Sequence, residues 1–219
     1  MLKSALAALL FACCANAQIH STVAASGQAS IFVPPDQAKI DITITASGPT
    51  ASAASTKDAT QVTAVLGALT KLLGAGANVK TVNYFVGPVY NNSGATITSY
   101  SASSTLEVTL TNLSLAGTVI DTAIGAGATS VGDVQFSLQN SDPAHNQALA
   151  AATVQAMAHA SAMATALGRA VGMVLSVQEV TATPALIGVL TGSSPVTSTT
   201  IVPGLLQVQV SVTLQAELN

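Results

Sequence analysis

The chain has 219 residues, of which 49% are apolar, 3% aromatic and none tryptophan. Asp, Glu, Lys and Arg together make up 7%, against roughly 25% in an average soluble chain. That hydrophobicity argues against disorder. A net charge of −3, with six scattered cations (Lys3, Lys39, Lys57, Lys71, Lys80 and Arg169), argues against a nucleic-acid partner, whose phosphates need clustered Lys and Arg. The length suffices for one domain with a hydrophobic core.

Residues 1–17 read as a cleaved signal peptide. Lys3 supplies a positive start, Leu6 to Ala12 a short apolar stretch, and Ala15-Asn16-Ala17 a small-x-small cleavage site before Gln18. The apolar stretch is too short to span a bilayer, which takes about 20 residues. The expected location is the periplasm or the exterior. Cys13 and Cys14, the only cysteines, both lie in this leader, so the mature chain has no thiol. The alternative is a lipoprotein acylated on Cys13, for which Phe11 is a poor fit where a small residue is usual.

Ser30 to Val33 reads as a strand ended by Pro34-Pro35, because proline cannot donate to a ladder. Ile40, Ile42, Ile44 and Ala46 then alternate with Asp41, Thr43, Thr45 and Ser47, the period of a half-buried strand. Val62, Val65, Leu66, Leu69, Leu72 and Leu73 recur at the spacing of one helix face. A Gly-Ala-Gly-Ala run follows at Gly74. Asn and Gly in NNSGATITS, between Tyr90 and Tyr100, predict a hairpin turn. Around it lie Tyr84, Phe85, Tyr90 and Tyr100, expected to pack across the strands. Leu106, Val108 and Leu110 form a second alternating strand, and Leu115, Val119, Ile120, Ala123 and Ile124 a shorter helix.

A second Gly-Ala-Gly-Ala run begins at Gly125. Phosphate cradles place strand, glycines and helix in that order, so that amide N–H groups face the anion. Here each glycine pair follows a helix and precedes a strand, where the free groups are carbonyls that repel phosphate. Gly74, Gly76, Gly125 and Gly127 are therefore expected to stop helices in the left-handed conformation, not to bind nucleotide. A long helix then opens with Asp142 as N-cap and Pro143 at its first position, and closes near Val171-Gly172, about 43 Å in all. Leu149, Ala152, Ala156, Ala160, Met163, Leu167 and Val171 fall on one side of it. A looser third glycine junction, Leu167-Gly168 and then Gly172, leads into Val174 to Val180. Residues 183–204 form a long connection of about twenty residues without a clear period. Val208, Val210, Val212, Leu214 and Ala216 close the chain as a strand.

These elements predict an α+β fold: a mostly antiparallel sheet with three helices on one face, built from repeated helix-glycine-strand units. Chemistry is sparse. His145 and His159 share the long helix but stand about 21 Å apart, too far to ligate one metal. No Gly-x-Ser-x-Gly elbow occurs. Asp133, Asp142 and His145 would revive catalysis only if the fold brought them together. The expectation is therefore no enzyme, with no catalytic, cofactor-binding or metal residues and no cofactor.

Several stretches taken together resemble one family. GQASIFVPPDQAKIDITITASG, VNYFVGPVY, YSASSTLEVTLTNLSLAGTVIDTAIGAGATSVGDVQFSL and, past an Ala-rich helix, ALGRAVGMVLSVQEV look like the SIMPL-domain family, long catalogued as a domain of unknown function. The resemblance covers nearly all of residues 18–219 as a single domain. It implies a signal-bearing periplasmic bacterial protein, peripherally associated with the outer membrane in some cases. Some members are linked to oxidative-stress defence, and some are similar to a surface immunogen that assembles into ring- or channel-like oligomers. No catalytic residue is established for the family, so none carries over. The long helix of the family usually bristles with Arg, Lys and Glu, whereas here only Arg169 remains. The partner expected is a second copy of the chain; the alternative is a small ligand or protein held in a groove near residues 183–204.

Overall fold

The computed structural model describes residues 21–74, 76–91, 94, 96–181, 185–187 and 201–219. The leader at 1–17, with Cys13 and Cys14, lies outside the described residues, as do 183–184 and 188–200 of the long connection. The strands form two four-stranded sheets, one in the order β1-β8-β6 with β7 also paired to β8, the other in the order β3-β4-β2-β5. They are β1 (Thr22–Val33), β2 (Gln37–Gly48), β3 (Asn78–Tyr90), β4 (Ile97–Leu110), β5 (Ser130–Ser137), β6 (Val171–Thr181), β7 (Ala185–Ile187) and β8 (Leu205–Leu218). The helices are α1 (Ala51–Leu73), α2 (Ala116–Gly125) and α3 (Asp142–Ala166). This is the α+β class that the sequence predicts, with the expected sheet divided in two. The chain separates into two compact units: Ser30–His145 with Thr183–Val208, and the described parts of Met1–Ala29, Asn146–Ala182 and Gln209–Asn219.

In the larger unit the alternation of β2 does what period two dictates. Ala38, Ile40, Ile42, Ile44 and Ala46 are buried, and Ile42 and Ile40 stand opposite Leu106 and Val108 of β4. On the other face Thr43 and Thr45 meet Thr105 and Ser103 through hydroxyl hydrogen bonds of 3.4 and 3.2 Å. Helix α1 covers the apolar face. A side chain at Gly48 would meet Ala54 N at 2.6 Å, so the turn into the helix is tight. Thr50 caps it, its hydroxyl accepting from Ala53 N at 3.2 Å. Val65 and Leu69 are fully buried, while Val62, Leu66, Leu72 and Leu73 pack at the margin of the same core. Helix α2 adds Val119, Ile120 and Ala123; Ile124, expected on that face, is 54% exposed.

The glycine runs do follow helices. Gly74 caps α1 with φ 82°, its N–H donating to Thr70 O at 2.9 Å. After α2, Ala128 N donates to Ala123 O and Gly127 N to Ile124 O, with Gly127 at φ 110°. This paired closure of the last turn is the one a left-handed glycine permits. Gly125 is still helical and Gly76 does not take a positive φ, so one glycine of each pair makes the stop.

Helix α3 differs most from expectation. Its first residue is Asp142, and Ser141 O accepts from His145 N at 2.9 Å, which makes Ser141 the cap and puts Pro143 one position deeper. It ends at Ala166: Arg169 N bonds Ala164 O, and Gly168 turns left-handed at φ 69°. Arg169 therefore lies past the helix. The buried stripe shares Ala152, Ala156 and Ala160 with the predicted side but departs from it at both ends. Ala144, Ala148, Ala152, Ala156, Ala160 and Ala164 are buried at every fourth position, whereas Met163 and Leu167 are exposed. Small side chains allow close approach, and Gly27 of β1 shows how close. A Cβ there would fall within the contact radii of Ala152 O and Ala156 N. Flanking it, Gln28 N donates to Gln155 Oε1 at 2.7 Å, and the His159 Nδ1–H donates to Ser26 O at 2.8 Å. Val23, Ala25, Leu214 and Ala216 complete this smaller core.

Strand β1 thus begins at Thr22, well before the predicted Ser30, because Val23, Ala25 and Gly27 form its buried face. Strand β8 matches its alternation, with Val208, Val210, Val212, Leu214 and Ala216 all buried. Part of the long connection is also regular. Ala185, Leu186 and Ile187 pair with Gln207, Leu206 and Leu205.

Candidate functional site

Asp133 lies on β5, while Asp142 and His145 lie in the first turn of α3. Among the described residues no three His, Cys, Asp or Glu side chains are grouped to hold a metal ion. The ionisable groups with defined partners have structural ones. His159 is held on the Ser26 carbonyl, to which its Nδ1–H donates. Glu107 of β4 takes Lys80 Nζ at 2.9 Å and Lys39 Nζ at 3.8 Å. The Lys80 hydrogen bond, with the charges of both lysines, outweighs desolvation and holds its carboxyl below the ordinary carboxylate range.

One buried pair had no counterpart in the sequence reading. Asp58 of α1 is 1% exposed, and its Oδ2 accepts from Ser104 Oγ of β4 at 2.5 Å, while Oδ1 lacks a hydrogen-bond partner. The signal was available: Ala54, Asp58, Val65 and Leu69 share one helix face, so a carboxylate stands in an apolar stripe. A Ser–Asp pair without a base that orients it, sealed beneath a helix, holds two elements together and offers no route to a substrate.

A cleft of about 220 Å³ opens beside Phe136, Ser137, Leu138, Ser141 and Leu206. It is lined by apolar groups and two hydroxyls, and is smaller than the ~300–1,000 Å³ of typical ligand pockets.

Two surfaces stand out more than any concavity. Strand β6 ends its sheet and exposes Met173, Val174, Leu175 and Val177, with Met173 65% and Val177 54% accessible. It contains no lysine or proline, the residues that commonly blunt an exposed edge. Strand β3 ends the other sheet. Of the four aromatics expected to pack across that hairpin, Tyr100 is half-buried, whereas Tyr84, Phe85 and Tyr90 are each more than half exposed. Tyr84 OH hydrogen-bonds Ser55 Oγ at 2.6 Å on the helix side of the sheet. Phe85 stands opposite Ser103 on the hydroxyl side and lies over Gly87, where a Cβ would meet its Cζ at 2.6 Å. Beta-branched and aromatic residues make good strands whichever way they face, so their outward position was not legible from propensity.

No helix among the described residues is long and apolar enough to cross a membrane. The family model described as SIMPL, protein of unknown function (DUF541), matches residues 23–216. Two relatives, each called a 26 kDa periplasmic immunogenic protein, come from Brucella melitensis biotype 1 and from Brucella abortus (strain S19). Each is 27% identical over 169 residues, which cover 74% of this chain and 68% of the relative.

Proposed function

The chain belongs to the SIMPL family, and on that premise we propose a non-enzymatic periplasmic protein, exported by the signal peptide at 1–17, that works by self-association. Its task is oxidative-stress defence, to which the resemblance links some members of the family, or envelope integrity. The location rests on the relatives, whose names carry the word periplasmic. The non-enzymatic reading is supported by the structural use of Asp58, Glu107 and His159.

Self-association rests on the β6 edge. Among the described strands β6 has a neighbour on one side only, and it adds four exposed apolar side chains to that edge. Antiparallel pairing of two such edges across a two-fold axis pairs the backbone groups of both at once. The second reading, a small ligand, draws on the cleft at Phe136 and Leu206.

Native mass spectrometry of the mature protein at micromolar concentration, with light scattering, tests the assignment. The parent is expected as an oligomer, and Met173→Lys with Val177→Lys is expected to shift it to monomer with circular dichroism unchanged. A monomeric parent at that concentration sinks the proposal.

A further inference from the structure

The surface of the β3–β4–β2 sheet opposite α1 has a chemistry that self-association does not use. From Thr81 to Leu106 the chain holds no charged residue, yet it carries all three tyrosines, Phe85 and a run of hydroxyls. The register sorts these by face. Phe85, Gly87 and Val89 of β3 stand opposite Ser103, Ser101 and Ser99 of β4. Ser103 and Ser101 in turn stand opposite Thr45 and Ser47 of β2. Hydroxyls from two adjacent strands thus tile one side of the sheet, beside a single aromatic ring.

That ring has a defined posture. Gly87 is buried although it lies on an edge strand, because the Phe85 ring lies across it; the ring itself is 61% exposed. Only glycine leaves room for a phenyl group to lie down on the backbone, and doing so presents the outer π face of the ring to solvent. A π face carries the negative part of the ring quadrupole and attracts weakly positive C–H groups. A hydroxyl both donates and accepts, so an array of them matches a partner whose own groups do both.

We propose that this face, with Phe85 as its platform, binds neutral polysaccharide chains. A pyranose ring has an apolar C–H face for the phenyl group and an edge of hydroxyls for Ser101, Ser103, Thr45 and Ser47. The charges on this face, Lys39, Asp41, Lys80 and Glu107, lie beyond Thr43 and Thr105, where Glu107 pairs with both lysines, so the end of the face around Phe85 desolvates no ion on binding. With one aromatic ring as its platform, the face binds a single sugar weakly, and a polymer gains from rebinding along its length.

Affinity electrophoresis in native gels tests this, with dextran in one gel and the neutral N-acetylglucosamine polymer glycol chitin in another. The parent is expected to be retarded in at least one gel, and 0.5 M sodium chloride in a parallel pull-down is expected not to release it. Phe85→Ala is expected to weaken binding about tenfold, the scale of one aromatic contact, while Phe85→Tyr retains it. Ser103→Ala, which leaves the ring in place, is expected to give an intermediate loss. Thermal melts of the three variants within a few degrees of the parent certify the fold. Failure of the parent to be retarded in either gel overturns the proposal, as does undiminished retardation of Phe85→Ala. Two other outcomes also overturn it. If Phe85→Ala abolishes flotation with phosphatidylcholine vesicles and not retention by glycan, the face is a lipid contact. If it converts an oligomer to monomer by light scattering, the face belongs to a second copy.

Discussion

Gly27→Ala isolates the contact on which the smaller unit depends. One methyl group is added, and it falls against Ala152 O and Ala156 N, with Ala156 Cα 3.0 Å away. All three are backbone atoms of a helix interior, which no rotamer change can move aside. Helix α3 must therefore retreat from β1 by about an ångström, and a gap of that size forfeits a quarter to a half of each dispersion contact across it. The bonds at Gln28 N and Ser26 O, both under 3 Å, stretch at the same time. Overpacking of this kind costs 1–3 kcal/mol, and a clash confined to main chain belongs at the upper end, about 3 kcal/mol. The lower chain entropy of alanine returns about 0.5 kcal/mol. A net loss near 2.5 kcal/mol corresponds to a fall of about 5–10 °C in melting temperature for a chain of this size. Circular dichroism melts at 222 nm measure it. Gly67→Ala, in α1 with nothing within 4 Å of the new methyl group, is the control and is expected to gain about 0.5–1 kcal/mol. If Gly27→Ala melts with the parent or above it, the close approach of α3 to β1 is wrong.

Three further expectations concern other parts of the fold. Glu107 has a folded pKa below its unfolded value of about 4.3, so its contribution is present above that value and is lost as pH falls through the lower, folded one. In Glu107→Gln the chemical-denaturation stability is expected to fall less steeply than in the parent on acidification below about pH 4; identical profiles would refute this. Ser104→Ala leaves the Asp58 carboxyl buried without its donor and is expected to cost about 2–3 kcal/mol in urea unfolding. Ser104→Ala combined with Asp58→Leu is expected to recover part of that loss, because neither partner is then stranded. Gly168→Ala forces a side chain into φ 69° and is expected to cost about 1–2 kcal/mol, whereas Gly76→Ala, at an ordinary φ, is expected to be near neutral.

Much of both cores could be read from period alone. Ile40, Ile42 and Ile44, and Val208 to Ala216, are buried as their alternation demands, because a half-covered strand has only one way to hide its apolar side. The polarity of the glycine runs was equally local: a helix that has ended leaves carbonyls, and a left-handed residue closes the last turn wherever it occurs. Helix α3 shows the opposite case. With alanine at so many positions, its sequence names no face, and the predicted side held Met163 and Leu167, which lie in solvent. The approach of the Gly27 backbone selected the alanine stripe, since only small side chains let main chain meet main chain there.

The sequence by itself determined which strands alternate, where α1 and α2 stop, and that ionisable groups are few, since these follow from neighbours a few residues apart. Tertiary structure alone decided what those few groups touch. It set Asp58 against Ser104, 46 residues on, and His159 against the carbonyl of Ser26, 133 residues before it. It also divided the strands between two sheets and left β3 and β6 at their edges. Such contacts depend on the competition among all strands for partners, which no local window of the chain records.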